Sequence, residues 1–134
     1  MLRFLLDTNI CIFIIKHKPP RVRERFAALA PDDLGISAVT EAELLYGAHK
    51  SERPEQNLAA VLAFASLVRV VPFDSRVTDE YGRLRAHLSR QGTPIGPLDT
   101  LIAATALALR VPLVTNNTRE FARVPGLTVE DWTQ

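Results

Sequence analysis

Apolar positions along the chain form short compact runs that alternate with longer periodic stretches. The runs LRFLL (2–6), LGIS (34–37), VRVVPF (68–73) and VPLVT (111–115) are each bounded by polar or turn-forming residues, which predicts buried strands. LTVEDW (127–132) predicts a fifth. Helices are expected over 9–16, 21–30, 40–50, 57–68, 75–90 and 99–110. KPP at 18–20 breaks the first of these, PDD at 31–33 is a turn, and TPIGP at 93–97 is a loop. The stretch 99–110 is apolar nearly all round, which predicts a buried helix. Strands that alternate with helices predict an α/β fold, with a central, mostly parallel sheet between two helical layers. Strands covered on both faces account for the solid apolar runs. The chain carries no internal repeat, linker or low-complexity tract, so one domain over residues 1–134 is expected.

Composition adds a few exclusions. Apolar residues make up 47% and charged residues 23%, ordinary values for a soluble globular protein. No run approaches the ~20 apolar residues of a membrane helix. The early greasy segment 4–15 is interrupted by Asp7 and Asn9 and has no small-residue cleavage site, so a secretory leader is not expected. The lone Cys11 cannot form an internal disulfide, which suits a reducing cytoplasm; beside Ile10 and Ile12 it reads as a small buried apolar residue. A net charge of +1 is far from the strongly basic footprint of many nucleic-acid-binding domains. Lysine occurs only at 16, 18 and 50, so the cations are mostly arginine, whose planar fork suits phosphate.

The candidate chemistry lies in the acids. Asp7 ends the first strand, Glu43 lies in the first turn of the helix after the second, Asp99 starts the buried helix, and Glu120 follows the fourth strand. In open parallel sheets ligands bind beyond the carboxyl ends of the strands, where all four would sit. Each acid also has a structural reading. Asp7 and Asp99 fit N-caps, Thr40-x-x-Glu43 fits a capping box, and Glu120 fits a solvated loop acid. Caps do not explain so apolar a setting: Asp99 has no charged neighbour downstream until Arg110. Clustered carboxylates repel unless a cation holds them. Helix N-termini offset part of that repulsion, and a divalent metal would offset the rest. His17, His49 and His87 have no ligand spacing among themselves, and one cysteine excludes structural zinc. An all-oxygen donor set points to Mg²⁺ or Mn²⁺, ions that activate water in phosphodiester displacement. There is no G-x-G-x-x-G, P-loop or G-x-S-x-G, so no nucleotide cofactor or serine nucleophile is expected.

Four motifs occur in order: LLDTN (5–9), S-x-x-T-x-x-E-L-x-x-G from Ser37 to Gly47, IGPLDTLIAA (95–104) and LVTNNTREFARVPGL (113–127). Together they resemble the PIN-domain ribonucleases, and most closely the VapC toxins of bacterial toxin–antitoxin pairs. The resemblance implies a PIN-like α/β/α domain with Asp7, Asp99 and Glu43 as metal ligands; Glu43 rather than Glu41 matches, because it precedes LLYG. Many members carry an aspartate where this chain has Asn116 and Asn117, which leaves the fourth position open between Glu120 and an asparagine that hydrogen-bonds the site. Thr8 and Thr115 are placed to orient ligands or water, and Leu98 departs from the asparagine or tyrosine often found before the aspartate. The implied activity is endonucleolytic cleavage of RNA, tRNA or another translation RNA, leaving a 5′-phosphate and a 3′-hydroxyl. The implied partners are a VapB-like antitoxin, which covers the acidic site, and a second copy of the chain. A phosphotransfer or phosphatase domain with an acid pocket, and a non-catalytic binding module whose acids are only caps, are the alternatives.

Overall fold

The computed structural model describes residues 2–134. Five strands, β1 (Phe4–Leu6), β2 (Leu34–Ser37), β3 (Arg69–Val71), β4 (Leu113–Val114) and β5 (Val129–Glu130), form one sheet in the order β3-β2-β1-β4-β5. Every neighbouring pair is parallel. Leu5 stands opposite Gly35 on one side and Leu113 on the other, so β1 is the central strand. The chain first builds outward from β1 to β2 and β3. It then crosses back to place β4 on the free side of β1. The order of connection therefore reverses between β1 and β4, and such a switch opens a crevice at the carboxyl ends of the strands.

Seven helices cover the sheet: α1 (Thr8–Lys16), α2 (Pro20–Ala27), α3 (Ala38–Lys50), α4 (Pro54–Ala65), α5 (Ser75–Arg90), α6 (Pro97–Leu109) and α7 (Thr118–Phe121). Alternation along each strand divides the core in two. Leu6, Ile36 and Val114 pack with α1 to α4 on one face, while Leu5, Leu113 and Val71 pack with α5 to α7 on the other. The largely apolar helix α6 buries Ile102, Ala103, Ala104 and Ala106.

Several departures from the expected boundaries trace to proline. Helices α2 and α4 start at Pro20 and Pro54, earlier than expected, because the fixed φ of proline suits a first helical position where its missing N–H is not needed. The third strand stops at Val71, since Pro72 has no N–H for the ladder. The last strand is only two residues long because the chain turns to bury Trp132 completely. That indole meets Phe4 edge-on, with centroids 5.6 Å apart, and lies under the Arg25 guanidinium at 5.1 Å. It ties the C-terminal segment to β1 and α2. Truncation by Trp132→Ala is expected to lower the unfolding free energy by about 3–5 kcal/mol in urea melts, as for other fully buried tryptophans. A loss below about 1 kcal/mol would contradict this tie.

Candidate active site

The crevice at the β1/β4 switch is built around Asp7. Its backbone N–H donates to Val114 O at 2.9 Å, so β1 and β4 are still paired where the acid emerges. Its Oδ1 accepts from Thr8 N at 2.8 Å, which makes Asp7 the N-cap of α1 as expected. Its Oδ2 accepts from Thr115 Oγ1 at 2.7 Å, across from the end of β4. Asp7 is 4% exposed. Burial pushes its pKa up; the bonds from Thr115 and Thr8 pull the other way, and the charges of Glu43 and Glu120 raise it again.

Glu43 and Asp99 differ from the capping roles expected of them. Ser37 is the N-cap of α3 and accepts from Thr40 N at 3.0 Å. Glu43 Oε1 instead accepts the hydroxyl of Thr8 at 2.7 Å, thirty-five residues away in sequence. The capping box fails because serine, a better cap, lies one turn earlier. Helix α6 begins at Pro97, so Asp99 is inside its first turn and not at its cap. The carboxyl of Glu120 is the neighbour that bears most on Asp99.

Glu120 is more than a solvated loop acid. It rides on α7, which the sequence patterning did not predict; a four-residue helix is too short to show a period, and buried Phe121 anchors it. Glu120 Oε1 accepts from Gly96 N at 3.0 Å and Oε2 from Asn117 Nδ2. Asn117 thus donates to Glu120, and the two side chains lie together. Asn116 is exposed. Burial and the charges of Glu120, Asp7 and Glu43 raise Asp99 from an ordinary 3.8 to about 7. Glu120 is held below its usual range despite some burial, by Gly96 N–H, Asp99, Asn117 and the Arg123 charge. Of the two acids, Asp99 is therefore the one that holds its proton more tightly.

Four carboxyls on four elements thus act on one another electrostatically. Among the described residues no three His, Cys, Asp or Glu side chains are closed into a ready metal-holding group. The donor chemistry fits a hard divalent ion: every group is a carboxyl oxygen, and Asp99 has only an acid for a partner. His17 and His49 are exposed on the far reaches of α1 and α3. Cys11 is buried, and burial and Asp7 push its thiol well up, which makes it inert.

Residues 4–127 match the PIN domain family. The chain belongs to the PIN-domain family. It is 53% identical to the tRNA(fMet)-specific endonuclease VapC of Shigella flexneri, over 98% of this chain and 99% of that protein. The Ribonuclease VapC2 of Haemophilus influenzae is 42% identical over the same shares. Among solved structures, the DNA-bound VapBC of Salmonella typhimurium superposes with a TM-score of 0.94 at 49% identity, over 98% of this chain and 99% of that one. VapBC2 of Rickettsia felis, bound to a promoter DNA fragment, gives 0.91 at 38%, over 98% and 99%. The parallel sheet between helical layers is the PIN-domain architecture expected from the motifs.

Two groups in this PIN domain escaped the reading of the sequence: the Gly96 N–H that holds Glu120, and the buried hydroxyls of Ser37 and Thr40 next to Thr8. The S-x-x-T-x-x-E spacing was the available signal for the second. A groove of about 320 Å³ adjoins the acids, lined by Ile12, Ile15, Leu44, Val61 and, at one side, Glu43.

The Asp99 shift has a consequence for stability. The folded chain holds this proton more tightly than the unfolded chain, so its contribution is complete below about pH 4 and is lost as the pH rises through about 7. Asp7 acts with the same sign and Glu120 with the opposite one. In EDTA the urea midpoint is expected to fall between about pH 5.5 and about pH 8, and Asp99→Asn is expected to flatten that fall. An equal pH dependence in both proteins would contradict the assignment.

Proposed function

We propose that this chain, as one PIN domain over residues 1–134, is the toxin of a VapBC-type pair: a Mg²⁺- or Mn²⁺-dependent endoribonuclease that acts on tRNA in the cytoplasm and is silenced by a cognate VapB-like antitoxin. The observation that carries this reading is the convergence of Asp7, Glu43, Asp99 and Glu120 at the β1/β4 switch. The near full-length likeness to VapC ribonucleases supports it.

Asp7, Asp99 and Glu43 would hold the ion, with Glu120 as the fourth acid. A bound divalent ion supplies the Lewis acidity that activates water and steadies charge on the phosphodiester. The protein's own part is orientation. Thr8 N–H and Thr115 fix the two oxygens of Asp7, the Thr8 hydroxyl fixes Glu43, and Gly96 N–H with Asn117 fixes Glu120. Such fixed geometry is what makes in-line attack efficient. Leu98, exposed beside Asp99, is placed to touch the substrate. Attack by water rather than by the ribose 2′-hydroxyl leaves a 5′-phosphate and a 3′-hydroxyl.

An open sheet edge admits unstacked bases of a single-stranded loop, which suits structured RNA. The tRNA(fMet) named for the Shigella relative is the first substrate to try. The groove beside Glu43 suits an apolar antitoxin segment that carries an arginine toward the acids. Exposed Tyr46 on α3 and Leu62 on α4 suit a homodimer. No described helix is long and apolar enough to cross a membrane.

Purified protein is expected to cut tRNA with Mg²⁺ or Mn²⁺ but not in EDTA, and Asp7→Asn or Asp99→Asn is expected to lower the rate by at least about 100-fold. End mapping should find 5′-phosphates; 2′,3′-cyclic phosphates would contradict the mechanism. Light scattering should report a dimer, and a clean monomer at micromolar concentration would contradict that part.

A further inference from the structure

Ser37, Thr40 and Glu43 recur at intervals of three through the start of α3, and metal binding by Glu43 alone does not account for the first two. Thr40 is fully buried and Ser37 is 1% exposed, both unusual depths for hydroxyl groups. Four contacts connect them to the acids. Thr40 N donates to Ser37 Oγ at 3.0 Å. Ser37 Oγ lies 3.3 Å from Thr40 Oγ1, Thr40 Oγ1 lies 3.1 Å from Thr8 Oγ1, and Thr8 Oγ1 lies 2.7 Å from Glu43 Oε1.

Each hydroxyl has one proton to give. A carboxylate only accepts, so the proton of Thr8 goes to Glu43, the shortest contact of the series. The 3.1 Å contact then requires the proton of Thr40 to point at Thr8. By the same count the proton of Ser37 points at Thr40. Proton counting leaves one direction: Ser37 donates to Thr40, Thr40 to Thr8, and Thr8 to Glu43. Hydrogen bonds aligned head to tail polarise one another, so the last donor is strengthened by those behind it. The series begins at the end of β2 and crosses to the residue after Asp7, at the end of β1. Glu43 is thereby referenced to the sheet itself, and its Oε2 is left without a protein donor among the described residues.

We propose that Thr40 is a positioning residue for the nuclease site: through Thr8 it fixes the carboxyl of Glu43, and Ser37 fixes Thr40. The proposal rests on the nuclease reading for its use, but the contact itself exists without metal or RNA. Thr40→Val keeps the shape and loses the hydroxyl; Thr40→Ser keeps the hydroxyl and loses a methyl. A structural role through packing predicts the opposite ranking of the two variants.

The test is NMR of the metal-free wild type and both variants, followed by Mn²⁺ titration read by electron paramagnetic resonance. Glu43 is expected in one side-chain rotamer in the wild type and Thr40→Ser, and in several in Thr40→Val. Mn²⁺ affinity is expected to fall about 10-fold in Thr40→Val and to return in Thr40→Ser, the size usual for groups that orient metal ligands. On tRNA the loss should fall on kcat, with KM changed less than about twofold. A single Glu43 rotamer in folded Thr40→Val, or loosening in Thr40→Ser equal to that in Thr40→Val, would overturn the proposal. If Glu43 loosens as expected while the wild type neither binds Mn²⁺ nor cuts RNA, the positioning stands and the nuclease reading falls.

Discussion

A buried carboxylate at the middle of a sheet costs free energy unless its surroundings repay it, and the placement of Asp7 sets what those surroundings must be. Desolvation alone would favour the neutral acid. Two donors oppose that, the N–H of Thr8 at the start of α1 and the hydroxyl of Thr115 at the end of β4. The first is local to the start of α1; the second exists only because β4 returns to lie beside β1, so the reversal of connection order brings the buried acid its second donor. Glu43, Asp99 and Glu120 then bring further negative charge to the same edge, and no arginine or lysine pairs with Asp7, Glu43 or Asp99 among the described residues. Arg123 influences Glu120, but its guanidinium donates to the Pro94 carbonyl. The site is therefore left with a surplus of carboxyl oxygens, the chemistry a hard cation relieves.

How much of this was visible in the sequence depended on whether the cause was local. The buried strands β1, β2 and β4 and the apolar helix expected over 99–110 could be read because solid apolar runs with turn residues at their ends have few other uses, whereas the edge strands β3 and β5 are only partly buried. Asp7 could be read as a cap because its partner is the next residue. Glu43 could not be read correctly from spacing: the Thr40-x-x-Glu43 pattern fits a capping box, but the glutamate found Thr8 across the fold, and Ser37 took the cap. Asp99 was misplaced by two residues because Pro97 is a better first helical residue than an aspartate is a cap. Glu120 looked like a loop acid because α7 spans a single turn and Gly96, its donor, lies twenty-four residues upstream. The strand bounds were overdrawn where Pro72 and Trp132 leave the sheet, the first for want of an N–H and the second to fill the core.

Glu43 belongs both to the acid group and to the wall of the apolar groove between α1, α3 and α4. Substrate chemistry and partner control thus meet at one side chain in the proposed toxin. The hydroxyl series behind Glu43 fixes the orientation of a carboxyl that borders both the other acids and the groove.

The central claim is that these acids are gathered to hold a hard divalent ion. Diffraction from crystals soaked in Mn²⁺, with data collected for its anomalous signal, tests it most directly. The account predicts an anomalous peak bounded by Asp7, Asp99 and Glu43 or Glu120, lost in Asp7→Asn. Saturating Mn²⁺ that leaves this edge of the sheet without a peak would contradict it.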